Sequence, residues 1–202
     1  MTGFQAALFD MDGTIIDSEG PTDLAIAEVM ATHGVAGARL TSTELRGRTW
    51  EDVAATLNAR YATAVPVATL ADAMLERWLL HFDEVRPIPG ADRALRDAAS
   101  HLGLAVVSSS PRFVIDRFLT AIGVDDLIGP DRRVGAEDVT RPKPAPEGFL
   151  RAAGMAAVGV TCTLEDPGEL IGLTDAHIPH YAALPADFWA DLAARGRAAL
   201  PR

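Results

Sequence analysis

Two side chains that most proteins use freely are nearly missing here: 202 residues include one cysteine, Cys162, and one lysine, Lys143. One cysteine excludes an intramolecular disulfide. It lies in the apolar, β-branched run Val160-Thr161-Cys162-Thr163-Leu164, where a small buried strand residue is expected over a nucleophile. Long apolar runs are missing as well. No stretch approaches the roughly 20 uncharged residues of a membrane helix, so no membrane association is expected. The N-terminus has neither the basic start nor the apolar run of a secretory signal, and a cytoplasmic location is the expectation. Positive charge is also scarce: 18 Lys+Arg stand against 28 Asp+Glu, a net charge of -10. Nucleic-acid binding rests on neutralising backbone phosphates, which this balance opposes. A small anion held by a local cluster is still allowed. No repeat or low-complexity segment occurs.

What is present suffices for one sizeable core, or for a core carrying a smaller insertion, since 49% of residues are hydrophobic. Residues 4–9 (FQAALF) predict a short buried strand ending at Asp10. Pro21 suits a first helical position and Gly34 a stop, which predicts a helix from Pro21 to about His33. Thr41 with Glu44 is a possible capping box, and Thr49-Trp50-Glu51-Asp52 opens another helix. A third runs from about Thr69 to Phe82. The span from about 18 to 85 thus has helical periodicity and no convincing strand. After the punctuation Pro87-Ile88-Pro89-Gly90, the pattern alternates. It predicts a helix over about 91–101, a strand over 103–107 and helices near 112–122 and 146–154. A strand over 158–164 and a closing helix near 187–199 follow. This order predicts a parallel α/β sheet with helices on both faces and an all-helical insertion. Ligands in such sheets bind beyond the carboxyl ends of the strands.

Several polar clusters fall at those ends. Asp10-Met11-Asp12-Gly13-Thr14 follows the first strand directly. Two aspartates at i and i+2 suit a hard cation and a phosphate, one carboxylate attacking phosphorus and the other passing a proton. A plain Asx turn would use the same residues. Ser108-Ser109-Ser110 follows an apolar strand and precedes Pro111, a corner fit for an anion or for simple helix capping. Lys143, between Pro142 and Pro144 in a chain that otherwise uses arginine, points to a site needing a compact ammonium charge. Glu165-Asp166 ends another strand, where adjacent carboxylates repel unless a cation or hydrogen bonds compensate; a Mg²⁺ shared with Asp10 would supply one, and capping of the turn near Pro167 is the alternative.

Taken in order, D-x-D-G-T, a serine after a strand, Lys-Pro and Glu-Asp after another strand resemble the haloacid dehalogenase-like hydrolases. The stretches from Phe9 to Glu19, Lys143 to Glu147 and Leu164 to Asp166 look like the beta-phosphoglucomutase-like branch and its sugar-phosphate phosphatases. The resemblance spans about residues 4 to 170. It implies a Rossmann-like core from residues 1–17 and 86–202, with residues 18–85 as a helical cap. It implies Asp10 as nucleophile and Asp12 as general acid/base. Ser108 and Lys143 would hold phosphoryl oxygens, with Ser109 and Thr14 beside them. Asp10, Asp12, Asp166 and Glu165 would form the Mg²⁺ site. Arg46-Gly47-Arg48 resembles the cap loop that meets substrate, although a C-cap glycine between solvated arginines reads equally well. Arg112 is a further candidate for a distal anion. An aspartate at Asp12 distinguishes phosphate-ester chemistry from dehalogenase and phosphonatase relatives. The implied partner is a small-molecule phosphate ester, and the implied state a monomer or weak homodimer.

The sequence also departs from that pattern. Pro167 and Leu170 stand where serine and glycine are usual, and Pro142 where glycine is common. The tail His177-Ile178-Pro179-His180-Tyr181 replaces a small-residue turn. A His-x-x-His metal pair is disfavoured by Pro179, and ordinary histidines are expected there. His33, His81 and His101 are expected at helix C-termini, and Trp50, Trp78 and Trp189 to pack on helices. Three readings follow: a phosphate monoesterase, a phosphosugar mutase with the same residues, and a catalytically weakened phosphometabolite-binding protein.

Overall fold

The computed structural model describes residues 6–143, 147–151, 156–160, 176–178 and 181–194. Strand β1 (Ala6–Phe9) is buried throughout and sits at the centre of a five-stranded sheet. The strand β4 (Gly103–Val107) lies beside it, in register Phe9 to Val106. Beyond β4 comes β5 (Arg133–Val134). On the other side lie β6 (Ala156–Val160) and then β7 (Ala176–Ile178). Every pairing in this sheet is parallel. Alternation explains the layering. Ala7 and Phe9 of β1 with Leu104 and Val106 of β4 enter one core. Leu8, Ala105, Val107 and Val134 form a second cluster. Strands buried on both faces read as continuous apolar runs, as these two do.

Four strands escape the sequence reading. The strands β5 and β7 are two and three residues long, too short to show a period. The other two form a ribbon: β2 (Ile16–Asp17) pairs antiparallel with β3 (Arg86–Pro87). Among the described residues, everything between those strands is helix, turn or loop. The helices are α1 (Glu19–Thr32), α2 (Ser42–Leu45), α3 (Trp50–Tyr61) and α4 (Val67–Leu80). They bury a cluster of their own that includes Ile26, Met30, Leu57, Leu70 and Met74. Trp50 is half-buried and packs against both this cluster and the main core.

Two helix starts shift by two residues, and β6 begins at Ala156 instead of residue 158. Helix α1 starts two residues before Pro21, because Ser18 takes the N-cap position. Pro21 is then the third helical residue, where the missing N–H still costs no intrahelical bond. Helix α4 starts at Val67 behind Pro66, whose fixed φ suits helix entry. The Gly34 stop is present with φ 81°, and His33 and His81 are the C-cap residues of α1 and α4. Helices α5 (Ala91–Ala99), α6 (Arg112–Ala121) and α7 (Glu147–Arg151) flank the sheet strands in sequence. The last, α8 (Phe188–Ala194), brings Trp189 against Phe9 with ring centroids 5.7 Å apart. Among the described residues, no helix is long and apolar enough to cross a membrane.

Candidate active site

Strand β1 stops at Phe9 because the next residues turn back on themselves. The amides of Ile15 and Ile16 both reach the Met11 carbonyl, at 2.8 and 3.1 Å, and the Gly13 amide reaches the Ile16 carbonyl at 2.8 Å. Gly13 takes φ 74°, a left-handed conformation that a side chain resists. From the far end of the chain, the buried Tyr181 hydroxyl donates to the Thr14 carbonyl at 3.0 Å. The turn therefore holds Asp10 and Asp12 at the carboxyl end of the central strand. Because β1 and β4 run in register, Ser108 ends its strand beside them.

Asp12 accepts hydrogen bonds from three hydroxyls. Ser18 donates to Oδ1 at 2.8 Å, while Ser110 and Ser108 donate to Oδ2 at 3.1 and 3.3 Å. Its pKa is nevertheless raised, first by desolvation and second by the neighbouring Asp10 charge. The Ser18 and Ser110 hydrogen bonds and the Lys143 charge oppose that shift without cancelling it. A carboxyl group that retains its proton more readily than usual is suited to giving one up to a leaving group.

Lys143 lies on the other side of Asp10. Its ammonium contacts Asp10 Oδ1 and donates to the Val107 carbonyl at 2.9 Å. Only 16% of its side chain is exposed, against 35% for Asp10, so the cation stands behind a carboxylate that faces outward. The Phe149 ring lies 5.4 Å from the same ammonium. The helical insertion reaches this point too. Ser109 donates its hydroxyl to the Gly47 carbonyl at 2.9 Å, and a Cβ built on Gly47 would lie 3.8 Å from Lys143 carbons. Gly47 holds φ 68°, so its loop turns tightly against the core.

Between core and insertion lies a cleft that opens to solvent. Asp10, Asp12, Ser109 and Ser110 line it from the core, and Arg46, Gly47 and Arg48 from the insertion. Arg46 pairs with Glu19, also a lining residue, at 3.3 Å; Arg48 is exposed at the rim. The remaining expected residues fall elsewhere. Ser108 is buried behind the wall, with its hydroxyl on Asp12. Thr14 is buried inside the turn. Arg112 faces away, held by the Pro130 carbonyl at 2.8 Å and by Asp138. The Glu137 carboxylate accepts from the Arg112 amide at 3.0 and 3.1 Å, which occupies the first turn of α6. Glu165 and Asp166, with Cys162, Pro167, Leu170 and His180, lie outside the described residues. His177 falls in β7.

Sequence reasoning missed Ser18, Tyr181, the bond from Ser110 to Asp12 and the lining roles of Trp50 and Trp78. Ser18 reads as a helix cap, yet it caps nothing with its side chain and bonds Asp12 instead. That departure has no sequence signal. The tryptophans do sit on helices as expected, but they also face the cleft.

As for a metal, no group of three or more His, Cys, Asp or Glu side chains converges among the described residues. Asp10 and Asp12 contribute two acidic groups, oxygen donors of the kind that Mg²⁺ prefers. The residual strain on Asp12 from the Asp10 charge is what a cation at this point would relieve. These two acidic groups are of the kind that a hard divalent ion takes.

The model of the family "Haloacid dehalogenase-like hydrolase" matches residues 7–159. The chain is 32% identical over 169 residues to hexitol phosphatase B of Escherichia coli (strain K12), covering 80% of this chain and 74% of that protein. It is 29% identical over 174 residues to validoxylamine A 7'-phosphate phosphatase of Streptomyces hygroscopicus subsp. limoneus, covering 86% and 78%. Among solved structures, a predicted phosphoglycolate phosphatase from Haemophilus somnus 129pt superposes with TM-score 0.68 at 20% identity, covering 95% of this chain and 99% of the other. That last likeness speaks to the fold alone. A parallel sheet with two aspartates at the tip of its central strand, matched by the family over residues 7–159, makes this chain a member of the haloacid dehalogenase-like hydrolases.

Proposed function

We propose that this protein hydrolyses small phosphate monoesters, sugar or polyol phosphates among them, through a phosphoryl group carried on Asp10. The observation that carries the reading is the meeting of three groups at one point, two lining the cleft and the lysine behind its wall. They are an outward-facing carboxylate (Asp10), a lysine ammonium behind it (Lys143) and a second carboxyl group inclined to keep its proton (Asp12). The named activities of the relatives, a hexitol phosphatase and a validoxylamine 7'-phosphate phosphatase, support the same substrate class.

In this reading an Asp10 oxygen attacks phosphorus as the bond from phosphorus to the alcohol oxygen breaks. Asp12 gives its proton to that oxygen, and the alcohol leaves. A water, deprotonated by the now ionised Asp12, then attacks the aspartyl-phosphate, releasing inorganic phosphate and restoring both carboxyl groups. Lys143, with Ser109 and the turn at Thr14, offsets the phosphoryl charge throughout. Ser108, together with Ser18 and Ser110, orients Asp12 through its hydroxyl. Asp10 and the Asp12 backbone carbonyl, with Asp166 and Glu165, would hold Mg²⁺, which would further neutralise the phosphoryl oxygens. Residues 18–85 act as a cap over a core of residues 1–17 and 86–202; the exit and return of the chain through the β2–β3 ribbon support this division, and Arg46, Gly47 and Arg48 are its substrate-facing loop.

The test is phosphate release from hexose, hexitol and other small phosphate esters, with Mg²⁺ and with EDTA, alongside Asp10→Asn. Release that needs Mg²⁺ and disappears in Asp10→Asn is the expected outcome. Absence of release from every ester, or turnover surviving in Asp10→Asn, would overturn the reading.

A further inference from the structure

The phosphate end of the cleft is formed by Asp10, Asp12 and Ser109, but its opposite wall is of another character. Trp50, Trp78, Leu45 and Leu75 line it, all from the helical insertion. Trp78 is buried and held edge-on by Phe82, with centroids 5.8 Å apart at 83°. Leu75 packs on the same core. Trp50 follows directly on Gly47, Arg48 and Thr49, and Thr49 fixes the start of α3 by accepting from the Asp52 amide at 3.3 Å. Its indole bridges the two hydrophobic clusters and still remains half-buried at the cleft. Two of the three tryptophans in the chain thus meet in one cavity. The polar residues Thr22 and Ser42 border the same space.

An aromatic wall beside polar residues is complementary to an amphipathic ring. The apolar C–H face of a sugar or cyclitol ring packs on indole, while its hydroxyls meet the polar border. A short open-chain alcohol offers no such face. A purely apolar aryl group gains nothing from the polar border.

We propose that this site selects monophosphate esters of cyclic polyols, hexose or cyclitol rings, and that Trp50 is the residue that determines the selection by receiving the C–H face of the ring. This rests on the phosphatase reading for its phosphate end only; ring recognition is a binding property and is tested as one.

The probes are glucose 6-phosphate, glycerol 3-phosphate and phenyl phosphate, which carry the same phosphate group. Isothermal calorimetry on Asp10→Asn gives their relative affinities without turnover, and the same ratios are measured after adding Trp50→Ala or Trp50→Phe. The expected result is preference for glucose 6-phosphate over both other esters. Trp50→Ala reduces its advantage over glycerol 3-phosphate by about tenfold, and Trp50→Phe restores most of it. Equal affinity for the ring and open-chain esters would overturn the proposal. So would preference for phenyl phosphate, or an affinity ratio untouched by Trp50→Ala. Loss of turnover in the wild-type protein with these ratios intact would count against the phosphatase reading and leave ring selection standing.

Discussion

Asp12 sits where ionisation is opposed, by burial first and by the Asp10 carboxylate second. The sign of its effect on stability follows from that. Above the ordinary value of 3.8 the unfolded chain releases this proton while the folded chain keeps it, so stability falls as pH climbs through the interval up to the raised folded value. Once both states are ionised the penalty is complete. Asp12→Asn removes it while keeping an oxygen that can accept from Ser18. In EDTA, calorimetric scans should therefore show a higher Tm for Asp12→Asn than for wild type at pH 7 to 8. That gain should shrink as pH is lowered toward 4. The same variant should lose phosphate release by a factor on the order of 10² to 10⁴, the usual share of a general acid. A variant less stable than wild type at pH 7 would show that the hydroxyl cage, and not the buried charge, dominates at this residue.

Helices α1 and α4 meet at His81, which ends α4 and touches carboxylates on two elements. Its Nδ1 lies 3.0 Å from Glu84 and its Nε2 3.3 Å from Glu28 of α1. Glu28 is also 3.4 Å from Arg77. The Glu84 and Glu28 hydrogen bonds raise the His81 pKa above its ordinary 6.5, and an imidazolium at a helix C-terminus is favoured besides. The contribution of this contact is fully present below 6.5 and fades as pH rises through the raised folded value. His81→Gln should therefore lower Tm more at pH 6 than at pH 8.5, as measured by thermal denaturation followed by circular dichroism. An equal loss at both values would leave only packing. This element pair was legible in part: the periodicity of α1 and α4, the glycine stop and the C-terminal histidines are local signals. The starting residues were displaced because a proline is tolerated anywhere in the first turn, so Pro21 alone cannot mark the first position.

At the scale of the molecule, two hydrophobic clusters, one in the helical insertion and one against the sheet, share Trp50. Among the polar contacts across the same boundary, two belong to the candidate site: Ser18 to Asp12 and Ser109 to Gly47. Ser109→Ala removes the second. It should raise amide hydrogen exchange around Arg46, Gly47 and Arg48 several-fold, while global stability falls by only about 1 kcal/mol, the worth of one hydrogen bond. Unchanged exchange in that loop would show that packing alone keeps it on the core. The alternation of apolar strand and amphipathic helix, the aspartates after β1, the serines after β4 and the isolated lysine were all readable from sequence. Each depends on neighbours within a few residues, so the sequence by itself determined the parallel α/β class, the helical insertion and the principal chemical groups. The tertiary structure alone decided which hydroxyls cage Asp12. It also decided that Tyr181 props the turn at Thr14 from 167 positions away, that Arg112 turns from the cleft, and that Trp50 and Trp78 face it. Those outcomes depend on how separate elements dock. A serine, an arginine or a tryptophan has the same local preferences whether its side chain lands on a helix cap, a salt bridge or a substrate.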